Sequence, residues 1–287
     1  MKRTTRVTGL LMAVITMLTI LTIGFTGIDA GATTAKNVKI NIKGKVLYSY
    51  EYKVLDLINK ERTKRGLSKF KMDKALVDVA TTRAAECAVY YSHARPNGDK
   101  NGFKMYKWKY AVGENIAINQ TSPAQVVKAW MNSPKHKSNI LNKKFKSMGV
   151  GCFLTNGNYY WVQFFVDNRV SNYNKPADVS KTYTVTVRND ILKTYQDENT
   201  LTFESPEKQN IKLYQNTMTL NGFNFTTLIE NESVIYVSND ENIVTVDKEG
   251  NAVPKQNGTT TVKAYVKGAE DKALTWTVTV DIAEENV

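Results

Sequence analysis

The chain of 287 residues contains two histidines, His93 and His136, and Glu114 lies midway between them. Two imidazoles and a carboxylate in one folding unit can hold a divalent cation such as zinc, or share the work of moving a proton. The intervals of 21 and 22 residues match no short metal motif, so only the fold can bring the three together. Each lies in an unusual stretch: Ser92 to Gly98 (SHARPNG), Gly113 to Ala117 (GENIA) and Ala129 to Leu141 (AWMNSPKHKSNIL). The bland alternative is that each histidine packs and hydrogen-bonds in a core, which for a lone histidine is the commoner case. His93, Glu114 and His136 are the catalytic candidates. No GxSxG segment and no Cys–His pair at a known spacing marks a nucleophile.

The elements that must position these residues are legible. Tyr48 to Lys64 has helical periodicity, with Val54, Leu55 and Ile58 on one face and Gly66 as the stop. Asp73 caps a second helix running to about Tyr91, whose apolar residues Leu76, Val77, Ala80, Ala84, Cys87, Ala88 and Tyr91 recur at steps of three and four. That helix delivers His93 just past its end, before a turn through Arg95-Pro96-Asn97-Gly98. Ser122-Pro123-Ala124-Gln125 combines a capping hydroxyl, a first-turn proline and a capping-box glutamine. Ser133-Pro134 repeats the start signal for a short helix ending near Leu141. His136 then falls in a first turn, where the helix dipole favours the neutral imidazole. Met148 to Leu154 and Tyr159 to Val166 flank Asn156-Gly157, a hairpin signal. The second strand is apolar on nearly every residue and so predicts cover on both faces, giving an α-β-α sandwich within an α+β chain. Gln163, the polar residue inside it, is expected to satisfy a buried neighbour or to reach the site.

The N-terminus reads as an export signal. Lys2, Arg3 and Arg6 precede an apolar run from Leu10 to Phe25 and then small residues, so residues 1–32 are expected to be a cleaved signal peptide, with a retained membrane anchor as the alternative because the run is long. A Lys-rich spacer, 33–47, follows with a weak alternation at Val38, Ile40 and Ile42 that suits a short strand. Export permits a disulfide between Cys87 and Cys152, the two cysteines, and separate burial is the equal alternative. Residues 48–170 are basic, with a net charge of +12 over 48–170, whereas 171–287 carry −6. The basic surface serves solubility or attracts polyanions. Export argues against nucleic acid as partner, and a monomer is expected. Residues 171–180 are polar and contain proline, which suits a linker. Residues 181–283 contain short strand-like runs with turn signals between them, as in an all-β sandwich. The last residues, Ile282 to Val287, show neither a hydrophobic tail nor a sorting signal, so no covalent anchor is expected there.

In this order and spacing, SHARPNG, GENIA, WMNSPKHKSNIL and MGVGCF with YYWVQFF make residues 48–170 resemble the CAP domain, in its bacterial, cysteine-poor form. This is the fold of cysteine-rich secretory proteins, antigen 5 and plant pathogenesis-related proteins. The resemblance implies an α-β-α sandwich with a cleft of two histidines and two acids able to bind a divalent cation. Carried over by motif, these are His93, His136 and Glu114. The second acid of the animal proteins falls on Ser133, so the tetrad reduces to a triad. The same cleft would include Arg95, Asn115 and Gln163. Family precedent is sterol or lipid binding and interaction with other proteins, with proteolysis suggested for some members; for this chain the expected ligand is a lipid, a wall polymer or a protein. Ser238 to Val253 and Asn257 to Val262 resemble bacterial Ig-like domains of group 2, which act as spacers or adhesive units at cell surfaces. The expectation is therefore a secreted ligand-binding protein, free or associated with the cell surface; a metal-dependent hydrolase using His93, Glu114 and His136 is the alternative.

Overall fold

The computed structural model describes residues 36–105, 112–168 and 173–283. The expected export segment lies outside the described residues.

Among the described residues, the α-helices and strands of the N-terminal part are β1 (Asn37–Val46), α1 (Tyr48–Thr63), β2 (Lys71–Met72), α2 (Lys74–Val89), β3 (Val112–Ile118), α3 (Pro123–Asn132), α4 (Pro134–Ile140), β4 (Ser147–Thr155), β5 (Asn158–Val166) and β6 (Val179–Arg188). Their starts follow local chemistry. The Asp73 side chain accepts from the Leu76 N–H, and the Ser122 hydroxyl accepts from the Gln125 N–H. Asn156 and Gly157 both have positive φ, which joins β4 to β5 in a tight hairpin. Ser133 opens α4 without a side-chain capping bond, so proline alone sets that start.

The strands form one sheet in the order β3-β5-β4-β1-β6, with β2 parallel to the start of β4. Each face of β5 is buried in a separate apolar cluster. Tyr160, Val162, Phe164 and Val166 join the α2 side, while Trp161 and Phe165 join the side of α1, α3 and α4. Helix α2 lies very close to β4. A Cβ on Gly151 would stand 2.2 Å from the Ala80 carbonyl oxygen, and one on Gly149 would stand 2.3 Å from the Leu76 carbonyl carbon. Only glycine admits that approach.

The cysteines divide between the two faces. Cys87 packs with the α2 cluster and Cys152 with the α1 cluster, and both are free and buried. The bridge between Cys87 and Cys152 does not form because the sheet separates them.

The spacer strand is more than a spacer. β1 pairs with β6 through ten successive residues, from Asn37 opposite Arg188 to Val46 opposite Val179. So the strand that follows the expected linker belongs to the N-terminal sheet. The rest of the chain is built from strands: β7 (Thr194–Tyr195), β8 (Thr200–Phe203), β9 (Gln209–Asn210), β10 (Tyr214–Leu220), β11 (Phe223–Leu228), β12 (Val234–Ser238), β13 (Val244–Val246), β14 (Asn251–Pro254), β15 (Gly258–Val266) and β16 (Leu274–Val280). They form three small sheets, β11-β10-β7, β12-β15-β16-β8 and β13-β14-β9. Side chains of β10 and β11 close the end of α2: Thr217 and Thr227 donate to the Ala88 carbonyl, and Gln215 donates to the Val89 carbonyl at 3.1 Å. These bonds satisfy carbonyls that a helix C-terminus leaves open. Apolar side chains of α2 and of the C-terminal strands share one continuous core.

Candidate functional site

The site forms where the end of α2 meets β3, an edge strand of the sheet. Past Val89 the chain turns, and Arg95 holds the turn. Its Nε lies 3.1 Å from both Glu86 carboxylate oxygens, and its Nη1 lies 3.0 Å from Asp99 Oδ2. Burial opposes the charge on Arg95, yet its bonds to Glu86 hold its pKa above the usual guanidinium value. Arg95 is thus a brace for the loop that carries His93.

Glu114 points from β3 toward α2, on the face shared with Ile116 and Phe164. Its carboxylate is 3% exposed and has two nitrogen-bearing neighbours, a guanidinium and an imidazole. Arg83 Nε stands 3.3 Å from Oε1, and His93 Nδ1 stands 3.4 Å from Oε2. His93 keeps 40% of its side chain in solvent, so it is the accessible member. Arg83 is fully buried and also lies 3.5 Å from Glu86. Its other Nη donates to the Ser92 carbonyl and to the Ala94 carbonyl at 3.2 Å, on either side of His93. Burial lowers the Arg83 pKa, but Cys87, Glu114 and Glu86 beside it outweigh that and raise it. Burial raises the Cys87 thiol to about 12, so that residue is an inert packing group.

The next residue of β3 faces the opposite way. Asn115 Nδ2 donates to Gln163 Oε1 at 3.0 Å and to the His136 carbonyl at 3.1 Å. Asn139 on α4 donates to Asn115 Oδ1 at 2.9 Å and to the Glu114 carbonyl at 3.2 Å. A Cβ on Gly113 would stand 3.0 Å from Asn139 Oδ1, which is why α4 can lie so close to the edge strand. Arg62 fixes α4 from the other end, donating to the Ile140 carbonyl at 2.7 Å while its guanidinium lies 3.6 Å over the Phe70 ring. His136 is half-buried. Burial, and then the charge of His93, lower its pKa below the ordinary imidazole value. The neutral form expected from its place in a first turn is thus favoured by burial and by the other histidine.

The predicted residues therefore separate into groups. His93 and Glu114 meet. His136 is near enough to His93 to feel its charge, but its contact with the β3 edge is through its backbone. Asn115 and Gln163 form a buried polar link that holds α4 to the sheet, and Ser133 sits at the junction of α3 and α4. The metal set does not fit. Among the described residues no three His, Cys, Asp or Glu side chains are grouped to hold an ion. The reason is electrostatic as well as geometric: Glu114 already faces a buried guanidinium, whose charge would repel a divalent cation.

Arg83, Glu86 and Asn139 were not singled out by sequence. Arg83 carried a usable signal, because it occupies the apolar stripe of α2 between Ala80 and Cys87. A charge in such a stripe needs a buried partner.

Residues 55–166 match the family model described as "CAP: Cysteine-rich secretory protein family", and this segment of the chain is a CAP domain. The chain is 37% identical over 148 residues to YkwD of Bacillus subtilis (strain 168), covering 49% of this chain and 56% of that protein. It is 29% identical over 122 residues to the membrane protein YlbC of the same organism, covering 37% of this chain and 32% of that protein. It therefore spans about half of the first relative's length and a third of the second's. Among solved structures, an extracellular protein containing an SCP domain from Bacillus anthracis is similar at 26% identity and a TM-score of 0.38, over 42% of this chain and 41% of that one. Among the described residues no helix is long and apolar enough to cross a membrane.

Proposed function

We propose that this is an exported ligand-binding protein whose CAP domain receives its ligand at the β3 edge, on His93. The observation that carries this reading is the pairing of a half-exposed imidazole with a carboxylate that is 3% exposed and backed by a buried guanidinium. Burying such a carboxylate is costly unless cations and hydrogen bonds compensate it. The arrangement orients one ring: a proton on Nδ1 directed at Glu114 leaves Nε2 as an acceptor facing solvent. A ligand presenting a hydroxyl or N–H donor suits that nitrogen, whether on a lipid, a wall polymer or a protein. His136, kept neutral, adds a second polar ring nearby without a competing charge. The strand-rich C-terminal part acts as an Ig-like surface module fixed rigidly to the domain. Nucleic acid is not the partner of an exported chain, and the monomer suffices to build the site. The metal-dependent hydrolase reading lacks support, because Arg83 takes the place beside Glu114 that an ion would need.

The test is mass analysis of small molecules extracted from protein purified from its native medium. Wild type is expected to carry a defined ligand in near-stoichiometric amount, and His93→Ala to lose it at an unchanged melting temperature. Full retention by His93→Ala would overturn the assignment.

A further inference from the structure

A concavity of about 470 Å³ lies between α1 and α3, on the other side of the sheet from Glu114. Its walls are cationic. Lys60, Lys64 and Arg65 project from α1, Lys128 from α3 and Lys137 from α4, against Glu61 as the one carboxylate. Glu61 is already engaged, at 3.3 Å by Lys64 and 2.7 Å by Arg65. Among the described residues, Lys60, Lys128 and Lys137 have no ion-pair partner. A second recess of about 310 Å³ adjoins the first, sharing Leu57 and Lys60 with it and adding Lys53 and Lys69 against one carboxylate, Asp56. Leu57, Val127 and Met131 form an apolar floor under the first recess.

We infer that these two recesses form one binding track for a linear polyanion with regularly spaced phosphates. The cations are arranged as a row. Lys53, Lys60 and Lys64 recur on one side of α1 and, at 1.5 Å per residue, extend over about 16 Å of helix axis. A single small anion is held by groups that converge on a point, whereas a row of charges matches a chain. The concavity selects against a bilayer, whose flat surface cannot reach the floor between α1 and α3. Like charges held in a row raise the potential along the recess and attract a chain of opposite charge. The polymer would release its counterions on binding, so affinity depends steeply on salt. This site is separate from His93 and does not rest on the reading given for it.

The experiment uses the full chain and inorganic polyphosphate as the probe, with fluorescence anisotropy over a salt series. Wild type is expected to bind, with log affinity falling linearly in log salt by about 0.7–0.9 per phosphate contact. The double variant Lys60→Glu/Lys128→Glu is expected to bind at least tenfold more weakly and to show a shallower salt slope. Lys248→Glu/Lys263→Glu makes the same change in net charge in the C-terminal part and is expected to leave binding within twofold. Both pairs are exposed, and melting temperatures confirm folding. His93→Ala is expected to bind as wild type. Equal losses in the two double variants would overturn the inference, since net charge would then explain binding. So would tighter binding of phosphatidylglycerol vesicles than of the polymer. Self-association abolished by Lys60→Glu/Lys128→Glu would also overturn it, by showing that the acidic C-terminal part of a second copy fills the track.

Discussion

Two carboxylates are buried on opposite faces of the same sheet, and they have opposite surroundings. Glu114 on the α2 face has Arg83 and His93 beside it. Glu51 on the α1 face is fully buried, accepts one bond from the Cys152 N–H at 2.9 Å, and leaves its second oxygen without a partner. Burial raises its pKa well above the usual carboxylate range; the Cys152 bond opposes this and Asp178 adds to it. The faces differ in the same way as wholes. Helix α2 buries 11 of its 16 residues because the C-terminal strands cover its outer side. Helix α1 buries four of 16 and turns its lysines to solvent. The covered face sets a guanidinium and an imidazole beside its buried acid, although Glu114 Oε1 and Arg83 Nε and Nη1 make no hydrogen bond there. The open face keeps its charges in water and neutralises the acid it buries.

The largest effect is expected where the covered face loses its central cation. Arg83→Ala would leave Glu114 and Glu86 buried without their shared partner and should cost about 3–5 kcal/mol in urea unfolding at neutral pH. A loss under about 1 kcal/mol would show that the buried pair does not organise this face. Next comes the cover itself. Gln215→Ala combined with Thr227→Val removes two donors from the end of α2, for an expected loss of about 1–3 kcal/mol. If the C-terminal part is fixed to α2 as described, calorimetry of this variant should show a single transition shifted downward. Two separated transitions would instead make the covering strands an independent unit.

The smallest effect is on the open face and has the opposite sign. The folded-state pKa of Glu51 lies above its unfolded value. Its contribution is therefore fully present below the ordinary carboxylate pKa and is lost as pH rises through the folded one. Glu51→Gln removes that loss and keeps an acceptor for the Cys152 N–H. It should stabilise the protein by roughly 1 kcal/mol at neutral pH and above, with little difference below about pH 4, in melting temperatures measured across pH. A variant less stable at every pH would contradict the description of Glu51 as a buried neutral acid.

Much of the fold could be read locally. The Asp73 and Ser122 caps, the Asn156-Gly157 turn and the doubly covered strand β5 each depend on a few neighbouring residues. The hairpin of β10 and β11 was missed although Asn221-Gly222 between Leu220 and Phe223 carries the usual signal, with φ of 50° and 80°. Strand β1 was undervalued for a different reason: its alternation is weak in isolation and takes meaning from β6, more than 130 residues later. The second covered side of α2 was hidden because alanines at 80, 84, 85 and 88 fit equally well facing solvent or core.

The sequence by itself determined where the helices start, which strand lies between two layers, and that His93, Glu114 and His136 stand in three motifs with a family resemblance. Caps, turns and periodicity are short-range, so the order of residues is enough to specify them. Only the tertiary structure decided that Glu114 faces Arg83, that the cysteines lie on opposite sides of the sheet, and that C-terminal strands close the end of α2. Those outcomes depend on which face of a strand each residue takes and on what packs over it. A shift of one residue reverses the face, and no local pattern fixes the neighbour that arrives from a distant part of the chain.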